Sequence, residues 1–240
     1  MDTQQVKSRQ RVAEHGEVFT AEREVNAMLD LVKNETERID SRFLEPACGD
    51  GNFLAEILRR KLAVVTKKYG GPRKRASFEL WSIIALMSIY GVELLPDNTA
   101  ACRERLFNIW NAAYTEDCKK EASDACRNVA RFILERNILC GDALSLKDSS
   151  GNPIVFSEWG VGLEGTVKRT DYTLAELLEP KPQESLEEYL KEKKPKPKQE
   201  PGQLSLFDAA EANDDKAEGS KVAQFRPIHY LKLKEQQEAK

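Results

Sequence analysis

The sequence predicts an α/β protein: an incomplete parallel sheet with flanking helices, followed by a disordered C-terminal extension. Three observations carry that prediction. Short apolar runs, "RFLE", "SIYGVE" and "NILCGDAL", alternate with longer segments of helical periodicity. That order of strand, helix, strand, helix, strand gives right-handed crossovers, with helices on both faces of the sheet. A glycine-bearing turn, "ACGDGNF", directly follows the first run, where sheets of this class open a ligand crevice. Beyond Leu146 the alternation stops, leaving three strands where such a sheet normally has about six.

The elements follow in order. Thr20 is placed to cap a helix with Glu22 and Glu24 in its first turn and Val25, Met28, Leu29 and Val32 on one face. A strand from Arg42 to Glu45 leads into the glycine turn, and the next helix presents Phe53, Leu54, Ile57 and Leu58 before a basic loop, "YGGPRKR". The apolar segment "FELWSIIALMSIYGVEL" predicts a buried helix running into a strand that ends at Glu93. Helices are expected over Asn98 to Tyr114 and Lys119 to Arg136, the second entering the strand "NILCGDAL". These elements make a first unit of residues 1–146.

Residues 147–179 have a different character: "NPIVFSEW" and "GTVKRTDY" suit an antiparallel hairpin, and "TLAELLE" a short helix. Residues 180–220 are Pro, Lys, Glu, Gln and Asp with few apolar side chains, the composition of a disordered linker. A short apolar tail segment, "VAQFRPIHYLKL", falls in residues 221–240.

Charge and cysteine usage narrow the setting. The net charge of -3 conceals a run from Arg59 to Arg75 in which every ionisable side chain is basic, a surface for an anion such as DNA or simply a solvated loop. Cys48, Cys102, Cys118, Cys126 and Cys140 are odd in number and contain no CxxC pair, which argues for reduced thiols in a cytoplasm. With only two histidines, no zinc site is expected. The first ten residues have no apolar core and no run approaches the ~18 apolar residues of a membrane span, so a soluble, cytoplasmic protein is expected.

The candidate ligand site lies at the strand ends. Gly49 and Gly51 remove side chains from the turn, but Leu54 stands where the dinucleotide fingerprint requires a third glycine. Glu93, ending the second strand, suits both hydroxyls of a ribose, and Asp142, ending the third, suits the exocyclic amine of adenine. Two acids repel phosphate, so a cofactor with adenine and ribose but no phosphate fits, and S-adenosyl-L-methionine answers that description. Taken singly, Glu93 and Asp142 read equally well as solvated strand-end acids, and Phe19 as a core aromatic.

In order, "GEVFTAEREV", "FLEPACGDGNFL", "YGVELLP" and "NILCGDAL" resemble the amino-terminal, cofactor-binding half of gamma-class adenine-specific DNA methyltransferases, especially bacterial restriction-modification modification subunits. The resemblance covers roughly Glu14 to Leu146 and implies a Rossmann-like class I methyltransferase fold. It implies that Phe19 and Thr20 border the methionine end and the adenine. It places Glu45, Cys48, Gly49 and Gly51 in the methionine-binding turn, Glu93 at the ribose and Asp142 at the adenine amine. Ala21 departs from the proline usual in that family, and Cys48 also reads as a small packing residue.

The family's catalytic Asn/Asp-Pro-Pro-aromatic loop, which holds a flipped adenine, has no counterpart. The nearest string, Asn152-Pro153-Ile154-Val155, lacks the second proline and the ring, and suits a hairpin turn. An unfinished sheet leaves an edge and an apolar face, so a complementary catalytic subunit or C-terminal half is expected, with DNA as the substrate. Two alternatives stay open: a non-catalytic cofactor-binding or regulatory module, and a methyltransferase acting on protein or RNA. Within the linker, Gln203, Leu204, Leu206 and Phe207 resemble the peptide by which bacterial replication and repair proteins dock on the sliding clamp. The same side chains also suit packing on a missing half.

Overall fold

The computed structural model describes residues 7–15, 17–178 and 221–239; the linker and the clamp-like peptide at residues 203–207 lie outside them. In chain order the elements are α1 (Arg9–His15), α2 (Glu22–Asp30), α3 (Lys33–Thr36), β1 (Phe43–Glu45), α4 (Asn52–Tyr69), α5 (Arg75–Met87), β2 (Ile89–Glu93), α6 (Pro96–Cys118), α7 (Asp124–Asn137) and β3 (Ile138–Cys140). Then come β4 (Val155–Val161), β5 (Thr166–Thr173), α8 (Leu174–Leu178), β6 (Ala223–Gln224) and β7 (Ile228–His229). The fold is mixed α/β.

β1, β2 and β3 form the parallel sheet in that order, with Glu45 opposite Gly91 and Glu93 opposite Cys140. All five residues of β2 are buried, as expected of a central strand covered on both sides. Gly91 lies against Leu54 and Cys48, since a Cβ there would come within 2.9 Å of each, so α4 covers that face. Successive residues point to opposite faces, and Tyr90 meets a different cover: its hydroxyl donates to the Ser157 carbonyl at 3.1 Å and its ring meets Phe156 edge-on. On this side the sheet is covered by the β4–β5 hairpin, which corrects the expectation of helices on both faces.

The hairpin has the predicted antiparallel pairing, from Val155 opposite Thr173 to Val161 opposite Val167. The apolar tail extends it: β6 and β7 both pair with β5, and the Tyr230 hydroxyl reaches Glu79 on α5 at 2.5 Å. "NPIV" falls at a turn, where the Asp148 carboxylate accepts the amides of Ser150 and Asn152 at 2.9 Å.

Several local expectations give way. Ala21, not Thr20, occupies the N-cap of α2 and no side chain caps it; Val25 and Leu29 are buried while Met28 and Val32 face outward. α6 ends at Cys118, where Lys119 takes φ 51, and α7 starts afresh under Ser123, whose hydroxyl accepts the Cys126 amide.

The basic run is mostly helix rather than loop, and partly committed internally. Arg60 binds Glu56 and Asp30, and Arg75 binds Glu121. Lys61 is fully buried, its ammonium donating to the carbonyls of Ile39 and Ser41 and to the Ser88 hydroxyl. That leaves Arg59, Lys67, Lys68, Arg73 and Lys74 exposed.

Lys61 therefore ties α4 to the segment before β1 and to the residue before β2. Burial away from water disfavours the ammonium and pulls the group down to about 7 from 10.5. Lys61→Ala removes a buried stem and the donor that the Ile39 and Ser41 carbonyls share, with an expected loss of about 2–5 kcal/mol in denaturant unfolding. The unfolded chain keeps the lysine proton up to its ordinary value, so wild-type stability gains a component that rises from about pH 7 to pH 10. Lys61→Met should lack that component when the two proteins are unfolded in parallel across this range.

Candidate functional site

The three strand ends meet along one edge. Beyond β1, the Cys48 amide donates to the Val92 carbonyl at 2.9 Å, and beyond β3 the Gly141 amide donates to the Glu93 carbonyl at 2.9 Å. The turn between β1 and α4 closes through Gly51 N–H on the Cys48 carbonyl at 2.8 Å. Gly49 and Gly51 take φ of +56° and +91°, values that side-chain-bearing residues adopt at a cost.

The glycines serve packing as well as backbone shape. A Cβ on Gly51 would lie 2.7 Å from Cys102 Sγ on α6, and one on Gly49 would lie 3.1 Å from the Phe19 ring. Gly51 thus lets α4 and α6 approach, and Phe19 lies on the turn. Cys48 is the packing residue its size suggests: its thiol is buried, and contact with Cys102 followed by burial pushes its ionisation far up, which makes it inert as a nucleophile.

Glu93 is the centre of the arrangement. Only 7% exposed, its carboxylate accepts Gly49 N–H on Oε2 at 2.9 Å, and Leu95 N–H and Asn98 Nδ2 on Oε1 at 3.0 and 3.2 Å. A carboxylate offers about four acceptor positions, so one, on Oε2, remains. It can take a single further donor, whereas the expected two-hydroxyl grip on a ribose requires a present donor to leave.

The other candidates fall into place around it. Asp142 follows β3 by two residues, and its Oδ1 accepts the Leu144 amide at 2.8 Å. That amide, with the Ser145 hydroxyl, holds the carboxyl below its ordinary value, so it stands at the strand edge as an anion. The Glu45 carboxyl is pushed up by burial, against a hydrogen bond from the Ala47 amide. Thr20 contributes its carbonyl, which accepts Asn52 Nδ2 at 3.0 Å and ties the N-terminal segment to α4.

The sequence reading missed a group just behind Glu93. Asn98 Nδ2 also donates to Glu17 at 2.6 Å, and Glu17 and Asp97 are both held by Arg11. Arg11 lowers Asp97 to about 2, and hydrogen bonds from Arg11 and Asn98 outweigh burial, which acts the other way, to lower Glu17. The available signal was the pair Asp97-Asn98 in the first turn of the helix that starts three residues after Glu93.

The donor set is carboxylates and backbone amides. Arg105 approaches the turn but is bound to Asp50 and Asn52. That chemistry suits a hydroxyl- and amine-bearing ligand, and is poor for phosphate.

If Gly51 serves the contact between α4 and α6, Gly51→Ala should cost about 2–4 kcal/mol, from the left-handed backbone together with overpacking on Cys102. In a Cys102→Ala background the same change should cost only about 1–2 kcal/mol, the backbone part. Chemical denaturation of the four proteins of the cycle measures both figures.

Compared with protein-family models, with curated proteins and with solved structures, the chain matches none.

Proposed function

We propose that this chain is the S-adenosyl-L-methionine-binding part of an adenine-specific (N6) DNA methyltransferase of a restriction-modification or related defence system, with a Rossmann-like class I methyltransferase fold. The observation that carries the reading is the junction at Glu93. A buried acid at the end of the central strand accepts the amide of the glycine turn after the first strand, and the partly exposed carboxylate of Asp142 follows the neighbouring strand. A ribose hydroxyl at Glu93 and an adenine amine at Asp142 would leave the methionine portion toward Gly49 and Phe19. The cofactor supplies the methyl group; the chain's own residues bind and orient it.

The catalytic loop lies outside these 240 residues in this reading, on a complementary subunit or on a C-terminal half. The 240 residues contain no Asn-Pro-Pro-aromatic string, and Asn152 is engaged in the Asp148 turn. Among the described residues, the outer edges of β1 and β3 carry no strand, and Leu44 on β1 is 41% exposed, which leaves room for a sheet to continue. DNA contact falls to Lys67, Lys68, Arg73 and Lys74. A second reading, a non-catalytic module that holds the cofactor, is favoured by the hairpin, because the chain covers the Tyr90 face of its own sheet.

Titration calorimetry on the full chain should show S-adenosyl-L-methionine binding, weakened roughly tenfold or more in Asp142→Ala, which loses a charged acceptor. A well-folded sample that takes up no cofactor would defeat the reading. The purified chain should transfer no methyl group to DNA. Co-expression with a polypeptide that carries the catalytic loop, encoded next to it, should produce N6-methyladenine. Cofactor binding without methylation in that co-expression would decide for the non-catalytic module.

A further inference from the structure

The buried Asn98 side chain, 1% exposed, hydrogen-bonds both Glu93 and the N-terminal segment. Its Nδ2 carries two hydrogens, one directed at Glu17 Oε1 at 2.6 Å and the other at Glu93 Oε1 at 3.2 Å, while its Oδ1 accepts from the Lys7 ammonium. Chemistry alone fixes this orientation: the reversed amide would set its oxygen against two carboxylates and its NH2 against a cation. Arg11 holds the far side. Its Nε and Nη2 bind Glu17 at 2.5 and 2.8 Å, and its Nη1 and Nη2 bind Asp97 at 2.8 and 3.1 Å. Asp97 is the residue before Asn98 in the first turn of α6.

We propose that Asn98 is a positioning residue: anchored by Lys7, Arg11 and Glu17, it saturates Oε1 of Glu93 and so presents the one remaining acceptor, on Oε2 beside Gly49, to a ribose hydroxyl. The proposal rests on the cofactor reading above and adds the origin of its sugar specificity. A carboxylate free to rotate offers several equivalent acceptors and discriminates weakly. One pinned by Gly49, Leu95 and Asn98 has a single direction left, and a ligand lacking the hydroxyl leaves that buried acceptor unpaired. The N-terminal segment therefore acts on the site through Asn98, without touching the sugar. Removing Arg11 takes the guanidinium from Glu17 and leaves Asp97 to Lys7 alone, so the anchor of Asn98 loosens and with it the fixed direction of Glu93.

The test compares S-adenosylhomocysteine with its 2′- and 3′-deoxy counterparts, by calorimetry on the full chain. The wild type should favour the ribo compound over at least one deoxy counterpart by about tenfold or more. Arg11→Met, a change at a partly exposed side chain remote from the ligand, should reduce that ratio at least about threefold, and Asn98→Ala should bring it close to one. A merely structural role for the segment would shift all affinities together and leave the ratio alone. An unchanged ratio in Arg11→Met overturns the proposal even if Asn98→Ala fails to fold. Equal affinities for all three compounds in the wild type also overturn it, while leaving cofactor binding intact. Failure of the folded wild type to bind any of them defeats instead the reading on which the proposal rests, and the proposal with it.

Discussion

A buried carboxylate must be hydrogen-bonded or protonated, and the way Glu93 meets that demand organises the ligand edge of this protein. Its partners come from four places in the chain: Gly49 after β1, Leu95 after β2, Asn98 at the start of α6 and, through Asn98, Glu17 of the N-terminal segment. Gly49, Leu95 and Glu17 lie outside regular structure, and only Asn98 sits in a helix, in its first turn. The acid aligns the glycine turn with the neighbouring strand end, and the turn in turn directs α4 into close contact with α6 through Gly51 and Cys102.

At the opposite ends of the strands a neutral amide performs the matching task. Asn137, fully buried at the end of α7, donates to the carbonyls of Leu86, Met87 and Ile89 and accepts the Trp159 indole N–H at 2.9 Å. One side chain thereby joins the end of α5, the start of β2 and the hairpin. The hairpin is fastened again by Arg42 on Glu158 and by the Tyr90 hydroxyl on Ser157. The C-terminal segment closes the array: Glu79 accepts the hydroxyls of both Tyr114 and Tyr230, and the Arg169 guanidinium lies 3.8 Å from the Phe225 ring centroid while pairing with Asp171. Buried polar groups that are each satisfied in this way specify one arrangement of elements where apolar contact alone would tolerate several.

The two hubs differ in chemical consequence. Asn137 has both ends of its amide engaged within the protein. Glu93 keeps one acceptor position at the strand ends, and this asymmetry is what makes them a candidate site. The acidic character also separates the proposed phosphate-free cofactor from a dinucleotide, consistent with Leu54 filling the space beneath Gly91 where a third glycine would otherwise stand.

The sequence by itself determined the three parallel strands, the turn between the first strand and its helix, the hairpin and the two strand-end acids. Each is written in local signals: apolar runs of strand length, glycines at a forced turn, and an abrupt loss of apolar residues after the hairpin. Only the tertiary structure decided what depends on contacts between distant segments. Lys61 looked like one member of a basic run until three acceptors from outside its helix surrounded it. That Gly51 also makes room for Cys102 shows only once α6 is in place. The tail reads as a short apolar segment, and only the fold pairs its backbone with β5. Asn98 carried no pattern of its own, because an amide is recruited by whichever charges the fold brings around it, and those charges, Lys7, Glu17 and Glu93, are far apart in the chain and adjacent only once it has folded.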